Sequence, residues 1–449
     1  MKTKKIIIFF ALSLLLSLLV CAENPKIKVG INFGNSAIKQ SLKITFQNGF
    51  QTGYTSDDNM FMPIMFYGDN DVTVNAVGNL IRLTSSDGSV LFEGSEGQPV
   101  SICPLGSELD GEGHIPYTTI GSIKYPDVLE FSAKGGLITV INIVDSEQYF
   151  KGVLPSEIYP SWHEEALKTA AIAARTFTYH SIGGKHKNYG VDVCTTTCCQ
   201  VYSGITKCQE STNKAVDDTK NLVLTYNGKV ITCVYHAISG GITQSAAGTW
   251  GGNPESFPYL TIVETPFENY TEIARGKWIK VIYDDDFNKL ISNSSYRGQL
   301  SAPIKITVDD PTPGYINNIT MTGSNGGSVT LKNSDTIRSF FSTWSANFTI
   351  GNVYMPYSGA FDSATVLTSS GEVQLPAGQS MSILTSAGGE VIQGIKHAHY
   401  LDGKGYGHGV GLSQYGAQFA AKAGYTYDQI LAIYFPGTII EDYTLLTNK

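Results

Sequence analysis

The segment that decides the fold is Trp162-His-Glu-Glu-Ala-Leu-Lys-Thr-Ala-Ala-Ile-Ala-Ala-Arg-Thr-Phe-Thr-Tyr-His180, in a chain of 449 residues. Its apolar residues between Ala166 and Phe177 recur at the three- and four-residue spacing that keeps them on one face of a helix. Ser161 and Glu164 have the spacing of a capping box, which marks a helix start. The pattern therefore predicts one long helix over residues 162–180.

On both sides of this segment the apolar residues alternate with polar ones, which is the period of a half-buried strand. Strand-like stretches precede the helix at Lys26–Asn32, Ser41–Phe46 and Leu137–Val144. Further strand-like stretches, separated by turn residues, follow it over 222–350 and 352–400. The composition agrees, because 25 Tyr, 20 Phe and 47 Gly are typical of a chain rich in strands and turns.

The C-terminal region returns to a helical pattern. Ser413 is placed to cap a helix that runs to Ala423 and is ended by Gly424. Thr426 is placed to cap a second helix over 427–435. The sequence therefore predicts an α+β fold made mostly of β-strands, with one long central helix and two short C-terminal helices.

Length and composition limit the class of protein. With 42% hydrophobic and 16% charged residues, the chain is too apolar to be disordered. Its length predicts two to four domain-sized units. Collagen, coiled-coil and polytopic membrane proteins are all excluded by this composition.

The N-terminus has the pattern of an export signal. Three lysines precede the apolar run Ile6–Val20, which is shorter than the ~18–20 residues that a membrane-spanning helix needs. Small residues after the run suit cleavage behind Ala22, so residues 1–22 are expected to be a signal peptide. An uncleaved anchor and lipidation of Cys21 are the alternatives. We expect the protein on the extracellular or cell-envelope side of a membrane.

The charge of the exported chain bears on its partners. Without residues 1–22, 28 basic residues stand against 39 acidic ones, a net charge of −11. A chain this acidic does not hold a polyanion by general electrostatic attraction. Nucleic acid is therefore not an expected partner.

Glu157 is the acid that the sequence singles out. It lies between Pro155 and Pro160 among apolar residues, which predicts a rigidly held and partly desolvated carboxyl group. Desolvation raises the pKa of a carboxyl group and suits it to general acid catalysis, whereas a solvated glutamate at a helix entrance would have no such role. Lys168 and Arg175 share one helix face, which points either to water or into a polar pocket.

One imidazole and three thiols lie within a short segment, at His186, Cys194, Cys198 and Cys199. This donor set suits zinc. In an oxidising compartment, disulfides with Cys208 or Cys233 are an equal alternative, and free buried thiols are a third. Neighbouring residues of a strand point to opposite faces, which argues against Cys198 and Cys199 binding the same metal.

Two further segments contain polar residues of the types that bind ligands or take part in reactions. Tyr235–Gly241 contains His236 and Ser239, and Gly403–Gly411 has glycine at every second position around His408. Alternating glycines predict a strand with one bare face that backbone or ligand can approach closely. The spacing fits no nucleotide-binding glycine loop. His408 is either a structural histidine or a ligand-binding one.

Taken together, these segments resemble the SpoIID/LytB family of bacterial cell-envelope proteins. The resemblance extends from about Gly121 to Thr438 and rests on five blocks in the family's order: Glu147–Glu157, Glu165–Phe177, Cys194–Tyr202, Tyr235–Gly241 and Gly405–Gln414. Ahead of it, the strand pattern indicates a β-rich N-terminal region over 23–112, and the resemblance suggests a family domain over 113–449. Less similar β insertions are expected near 267–330 and 352–400.

The resemblance implies a lytic transglycosylase that cleaves peptidoglycan glycan strands between N-acetylmuramic acid and N-acetylglucosamine. Glu157 matches the family's catalytic position, and Lys168 and Arg175 match cations that the family needs for activity. Further residues expected to bind substrate are Gln200, Tyr202, His236, Ser239, His408 and Gln414.

The family also implies alternatives. Members of the family can carry zinc near the cysteine motif, but Cys198 stands where a histidine is usual in the family. A zinc hydrolase at this cluster would need an open coordination position. LytB-type members are described as enhancers of a separate amidase, so a non-catalytic wall-binding protein with a partner amidase is the main rival function.

Overall fold

The computed structural model describes residues 24–106, 115–309, 314–357, 363–368, 371–376, 381–385, 388–392 and 394–446. The expected signal peptide, 1–22, lies outside these residues. None of the helices in the described ranges is both long and apolar enough to cross a membrane. The chain separates into two compact units: unit one runs to Leu224 and adds Gly228–Ile231 and the residues from Ile440, and unit two comprises Thr225–Asn227 and Thr232–Ile439.

Fourteen strands of unit one are β1 (Lys26–Asn32), β2 (Ile38–Lys39), β3 (Ser41–Thr45), β4 (Phe50–Thr55), β5 (Phe61–Tyr67), β6 (Asp71–Val77), β7 (Leu80–Ser85), β8 (Val90–Glu93), β9 (Val100–Pro104), β10 (Tyr117–Ile120), β11 (Ile123–Pro126), β12 (Val128–Lys134), β13 (Leu137–Asp145) and β14 (Val193–Cys194). They form two sheets, with strand orders β14-β1-β13-β12-β9-β4-β5, where β2 also pairs with β13, and β11-β10-β3-β6-β7-β8. Their inward-facing residues, such as Val29, Val72 and Phe131, share one hydrophobic core.

The expected N-terminal region, 23–112, has the predicted strands but does not form a unit of its own. Strands from both sides of residue 112 belong to each of the two sheets. Central among these pairs is β1 with β13, in which Val29 lies opposite Asn142. The strands before residue 112 and the strands after it bury their apolar faces in one core. The compact unit therefore continues past residue 112.

Helices α1 (Ser146–Glu157), α2 (Glu164–Ser181) and α3 (Glu210–Asp218) complete most of unit one. The predicted long helix is confirmed as α2, but its N-cap is His163, whose side chain accepts a hydrogen bond from the backbone of Glu165, rather than the expected Ser161. Helix α1 was not predicted, because Pro155 in its last turn disguises the pattern. Its start signal was present in Asp145, which caps the first backbone N–H groups.

A small sheet has the order β16-β15-β29, with β15 at Leu222–Tyr226, β16 at Lys229–Val230 and β29 at Ile439–Asp442. A short helix, α9, follows at Tyr443–Leu446.

Unit two contains α4 (Ala246–Trp250), α5 (Asp284–Ser292), α6 (Ser334–Phe341), α7 (Gln414–Lys422) and α8 (Tyr427–Tyr434). Its strands are β17 (Tyr235–His236), β18 (Lys277–Tyr283), β19 (Ile304–Val308), β20 (Asn318–Gly323), β21 (Ser328–Lys332), β22 (Phe348–Tyr357), β23 (Ser363–Thr368), β24 (Gly371–Pro376), β25 (Met381–Thr385), β26 (Gly388–Ile392), β27 (Gly394–Lys404) and β28 (Leu412–Ser413). They form small sheets with the orders β17-β28, β18-β27-β22, β19-β20-β21, β23-β24 and β25-β26.

The two C-terminal helices begin as the sequence predicts. Ser413 caps α7 by accepting a hydrogen bond from the backbone of Gly416. Thr426 and Gln429 form a capping box at the start of α8. Gly424 between them has φ +94°, which a residue with a side chain rarely adopts. The chain is an α+β protein made mostly of strands, as predicted.

A buried ion pair joins α1 to α2. Arg175 is fully buried, and its Nε and Nη2 donate to the two carboxylate oxygens of Glu147 at 3.0 and 2.7 Å. Two further N–H groups, one on Nη1 and one on Nη2, donate to the carbonyl oxygens of Leu222 and Val216, each at 3.2 Å. The expectation that Arg175 faces water or a polar pocket is wrong, because α1 brings a matching carboxylate into the core.

We expect Arg175→Ala to lower the free energy of unfolding by about 3–5 kcal/mol, because it leaves the Glu147 carboxylate buried without its counter-charge. Urea denaturation followed by circular dichroism would measure this loss. The control is Arg82→Ala, which breaks an exposed ion pair with Glu93 and should cost no more than about 1 kcal/mol. An Arg175→Ala protein of unchanged stability would show that the pair does not stabilise the fold.

Candidate active site

Glu157 is the last residue of α1, and the helix end holds its backbone. Ile158 leaves the helix in an extended conformation, and its N–H bonds to the carbonyl oxygen of Leu154 at 3.1 Å. The sequence attributed this rigidity to two flanking prolines, but Pro155 lies inside the helix. The carboxyl group is therefore presented from a fixed helix terminus.

The environment of Glu157 suits an acid. Its side chain is half-buried, and Oε1 accepts a hydrogen bond of 2.6 Å from the backbone N–H of Val201. Burial raises the pKa of Glu157, and the hydrogen bond from Val201 opposes part of that shift. The net direction is upward, as the sequence predicts for a general acid.

The residues on either side of Val201 hold its loop in place through buried hydrogen bonds. Gln200 is fully buried, where its Oε1 accepts from Tyr149 at 3.1 Å and from Thr178 at 2.7 Å. Tyr202 is buried as well and donates to Oδ1 of Asn142 at 2.9 Å. These placements disagree with the expectation that Gln200 and Tyr202 bind substrate, because both side chains are used inside the core.

Lys168 lies in a network of carboxylates on α2 and α3. Its Nζ is 2.8 Å from Glu164, 3.2 Å from Glu165 and 3.7 Å from Asp218. The hydrogen bond to Glu164 is the main cause that raises the pKa of Lys168 to about 12. The same contact lowers the pKa of Glu164 to about 2, so Glu164 stays ionised and is a poor general acid. This network matches the solvated-face alternative for Lys168.

Two aromatic side chains follow Glu157 closely in the chain. Tyr159 is 58% exposed, and its ring centroid is 5.6 Å from that of the half-buried Trp162. Exposed aromatic rings offer large apolar faces with a polar edge, a surface that suits a sugar ring. These two residues were not among the expected substrate-binding residues, although two aromatic residues within five positions of the acid are a signal that the sequence contains.

The cysteine cluster, defined as His186, Cys194, Cys198 and Cys199, brings its four donor atoms within 4.8 Å of one another. His186 Nε2 is 3.6 Å from Sγ of Cys198 and 3.3 Å from Sγ of Cys199. The expectation that Cys198 and Cys199 point to opposite sides is wrong here, because residues 195–199 form turns and bends rather than a strand.

The thiols of the cysteine cluster also perturb one another. A hydrogen bond with Cys199 holds the pKa of Cys194 well below its usual range, and the same contact raises the pKa of Cys199. No disulfide joins any of the six cysteines in the described ranges. One imidazole and three thiols in this arrangement fit a tetrahedral zinc site closed by protein ligands, which is the structural type.

The cysteine cluster and Glu157 are linked through the chain. Cys199 lies two residues before Val201, whose N–H bonds to Glu157. Any ion or disulfide that orders the cysteine loop therefore also orders the donor that holds the acid.

The remaining predicted residues lie in unit two. His236 is buried, and its Nδ1 donates to the carbonyl oxygen of Val410 at 3.1 Å. His408 is partly exposed, and its ring centroid is 5.6 Å from that of His236. Burial lowers the pKa of His236 to about 3 and that of His408 to about 4, so both rings are neutral near pH 7. Gln414 is half-buried at the start of α7.

Ser239 is held by a buried acid, Glu268, that no sequence pattern indicated. Glu268 is 3% exposed, and its carboxylate accepts from the hydroxyl of Ser239 at 2.6 Å and from the backbone N–H groups of Ser239 and Gly240. Burial raises the pKa of Glu268. The fully buried Ser239 thus shapes a turn, which disagrees with its expected contact with substrate.

The glycine segment, Gly403–Gly411, is a strand only as far as Lys404. Gly405, Gly407, Gly409 and Gly411 all have positive φ, so the expected bare-faced strand is wrong. A Cβ at Gly409 would lie 2.3 Å from the ring of Tyr315, and one at Gly411 would lie 2.2 Å from the carbonyl oxygen of Val234. The glycines are needed for these left-handed turns and close approaches.

Comparisons with known proteins identify what this arrangement is similar to. Residues 134–226, which contain Glu157 and the cysteine cluster, match the SpoIID family model, described as stage II sporulation protein. Stage II sporulation protein D of Bacillus subtilis is 30% identical over 318 residues, which are 68% of this chain and 76% of that protein. An uncharacterized protein of Brachyspira hyodysenteriae is 32% identical over 332 residues, 74% of this chain and 76% of the relative. The amidase enhancer of Bacillus subtilis is 28% identical over 310 residues, 65% of this chain but 40% of that longer protein.

We expect the cysteine cluster to bind one zinc ion. Zinc at a hundredfold excess over its Kd should add about 2.7 kcal/mol to the free energy of unfolding. Cys194→Ser should remove this gain, whereas Cys208→Ser, outside the cluster, should keep it. Denaturation with and without zinc, together with elemental analysis, would measure both effects. A Cys194–Cys199 disulfide in the purified protein, found by peptide mapping with no bound zinc, would contradict the expectation.

Proposed function

This chain belongs to the SpoIID family of stage II sporulation proteins, and on that premise we propose that it is a lytic transglycosylase acting on peptidoglycan glycan strands. The observation that carries the proposal is Glu157, a half-buried carboxyl group with a raised pKa held by the N–H of Val201. Family membership supports a role in the cell wall. The particular reaction is argued from the chemistry of the acid.

One carboxyl group is enough for this reaction. Ordinary glycosidases pair two carboxyl groups, the second of which activates water or attacks the sugar. In unit one, Glu164 and Glu165 are paired with Lys168, and Glu147 is paired with Arg175. Among the glutamates of α1 and α2, Glu157 is thus the carboxyl group best suited to donate a proton. A lytic transglycosylase needs no activated water, because the sugar supplies its own nucleophile.

The proposed reaction has two proton transfers. Protonated Glu157 donates its proton to the oxygen between N-acetylmuramic acid and N-acetylglucosamine, and that bond breaks. The carboxylate that results accepts the proton of the 6-hydroxyl of N-acetylmuramic acid as this oxygen attacks the anomeric carbon. The products are a 1,6-anhydro end and a free N-acetylglucosamine end, and Glu157 is protonated again.

The surroundings of Glu157 would assist this chemistry. The Val201 N–H stabilises the carboxylate after it has given up its proton. Tyr159 and Trp162 would pack against the glycan and orient it. Zinc, when bound by the cysteine cluster, would have a structural role in ordering the loop that carries Val201. Action on peptidoglycan requires export, which the expected signal peptide would provide.

We predict that Glu157→Gln abolishes formation of 1,6-anhydro ends while folding and glycan binding stay nearly intact. Gln keeps the shape but cannot transfer a proton, which should reduce the rate by about 10²–10⁴ or more, since one residue serves both steps. In the unaltered protein, cleavage should fall as pH rises through the raised pKa of Glu157. Mass spectrometry of digested purified glycan strands would detect the anhydro ends.

The matched control is Glu164→Gln, an exposed carboxyl group seven residues away whose pKa is lowered. It should leave cleavage within a few-fold of normal. Near-normal cleavage by Glu157→Gln would contradict the single-acid mechanism. If the unaltered protein binds glycan and never cleaves it, the rival function gains support instead.

The rival function is enhancement of a separate amidase, which the name of one relative indicates for that relative. The observation that favours it here is strand β5, the last strand in the order of the larger sheet. Its apolar side chains are unusually exposed, with Met62 at 58%, Ile64 at 49% and Phe66 at 67%. An apolar edge strand offers backbone and side-chain contacts to a strand of another protein.

If the chain enhances an amidase through β5, Phe66→Lys should abolish the enhancement without changing the stability or glycan cleavage of the chain. A charge would have to be desolvated in the complex. Release of stem peptides by a cell-wall amidase, with and without this chain, would measure the effect. The control is Ile279→Lys, at a side chain 58% exposed on β18. Equal enhancement by both variants would exclude β5 as the docking strand.

A further inference from the structure

A second cluster of metal-binding side chains lies in unit two. Strand β18 ends at Tyr283, and the next residue, Asp284, begins α5. Strand β18 pairs with β27 in an antiparallel register that sets Ile282 opposite His399 and Tyr283 opposite Ala398. The register therefore brings Asp284 beside His397. His397 and His399, two residues apart on a strand, project from the same face.

The donor atoms of these three residues converge. His397 Nδ1 lies 3.0 Å from Oδ1 of Asp284. The two imidazole rings are 5.1 Å apart between centroids and nearly perpendicular, at 88°. One donor atom from each of the three residues lies within 4.8 Å of the others. A single ion could therefore contact all three with small side-chain adjustments.

His399 supplies an independent reason to expect a ligand. It is fully buried, and within the described part of the chain neither of its ring nitrogens forms a hydrogen bond. The backbone of Ile304 lies near the ring, but it does not form a hydrogen bond with either ring nitrogen. The ring of Phe287 lies 5.2 Å away and closes the apolar side of the site. Buried polar atoms almost always have partners, so an imidazole with two unpaired nitrogens calls for one.

We propose that Asp284, His397 and His399 form a binding site for a divalent transition-metal ion, with zinc as the ion that matches best. Two imidazoles and one carboxylate are typical zinc ligands, whereas calcium and magnesium prefer sites made of oxygen atoms alone. The ion would join the start of α5 to the middle of β27. Three protein ligands leave a coordination position for water or another small ligand.

This site differs in chemistry from the cysteine cluster. Its donors are nitrogen and oxygen, while three of the four donors of the cysteine cluster are sulfur. Cobalt(II) distinguishes the two, because thiolate ligands produce strong charge-transfer absorption in the near ultraviolet and nitrogen and oxygen ligands do not. The proposal does not depend on the proposed glycan cleavage.

The test is titration of the full-length, chelator-stripped protein with zinc alone by calorimetry. Cys194→Ser and Cys199→Ser in every sample would remove the competing thiolates. We expect one zinc ion per chain, bound at least about 100-fold more weakly after His397→Gln or Asp284→Asn, because even residues that only support a metal ligand contribute 10–100-fold. Circular dichroism would verify that each variant is folded.

The matched control is Asp286→Asn, which removes the same charge from the same helical turn at an exposed residue paired with Lys289. It should bind zinc as tightly as the parent, which is the chain that carries only Cys194→Ser and Cys199→Ser. Cobalt(II) bound to the parent should show no thiolate charge-transfer band. Failure of the folded parent to bind zinc, or equal zinc affinity in the Asp284→Asn and Asp286→Asn proteins, would overturn the proposal.

Discussion

The ion pair between Arg175 and Glu147 is the constraint on which the candidate active site depends. Taking both charges out of water costs several kcal/mol per ion, and only near-ideal geometry offsets this cost. The bidentate contact and two carbonyl acceptors provide that geometry. Since Glu147 lies in the first turn of α1 and Arg175 in the middle of α2, the pair fixes one helix against the other. Glu157, at the far end of α1, is positioned as a consequence.

A second set of hydrogen bonds, made by the same two helices, leads to the acid. Tyr149 on α1 and Thr178 on α2 both donate to Gln200, which precedes the Val201 N–H that binds Glu157. The cysteine cluster lies at the other end of the same loop. Residues that the family resemblance suggested for substrate therefore act here by holding the acid and its donor in place. Buried polar networks of this kind are rigid only when every member is satisfied.

In unit two, different residues also hold a carboxyl group in place through buried hydrogen bonds. Glu268 is a buried carboxylate held by the hydroxyl and N–H groups of one turn, and glycines with positive φ allow the backbone to approach closely around it. His399 differs, because both its ring nitrogens lack hydrogen bonds within the part of the chain that the structure describes. Burying a polar atom without a hydrogen-bond partner destabilises the fold by about 1–3 kcal/mol for each such atom. An ion bound together with Asp284 and His397 would give one of the two nitrogens a partner and so remove part of that cost.

The sequence by itself determined the α+β class, the long helix, both C-terminal helix caps and the partly buried setting that raises the pKa of Glu157. Each of these follows from short-range spacing, capping chemistry or local apolar context, all of which can be read along the chain. Tertiary structure alone decided that Arg175 is a core residue, that Cys198 and Cys199 face one centre, and that Asp284 lies beside His397. These outcomes depend on which distant segments pack together. A charged or sulfur side chain has the same local pattern whether its partner is water, another residue or an ion, and only the fold determines which of these it meets.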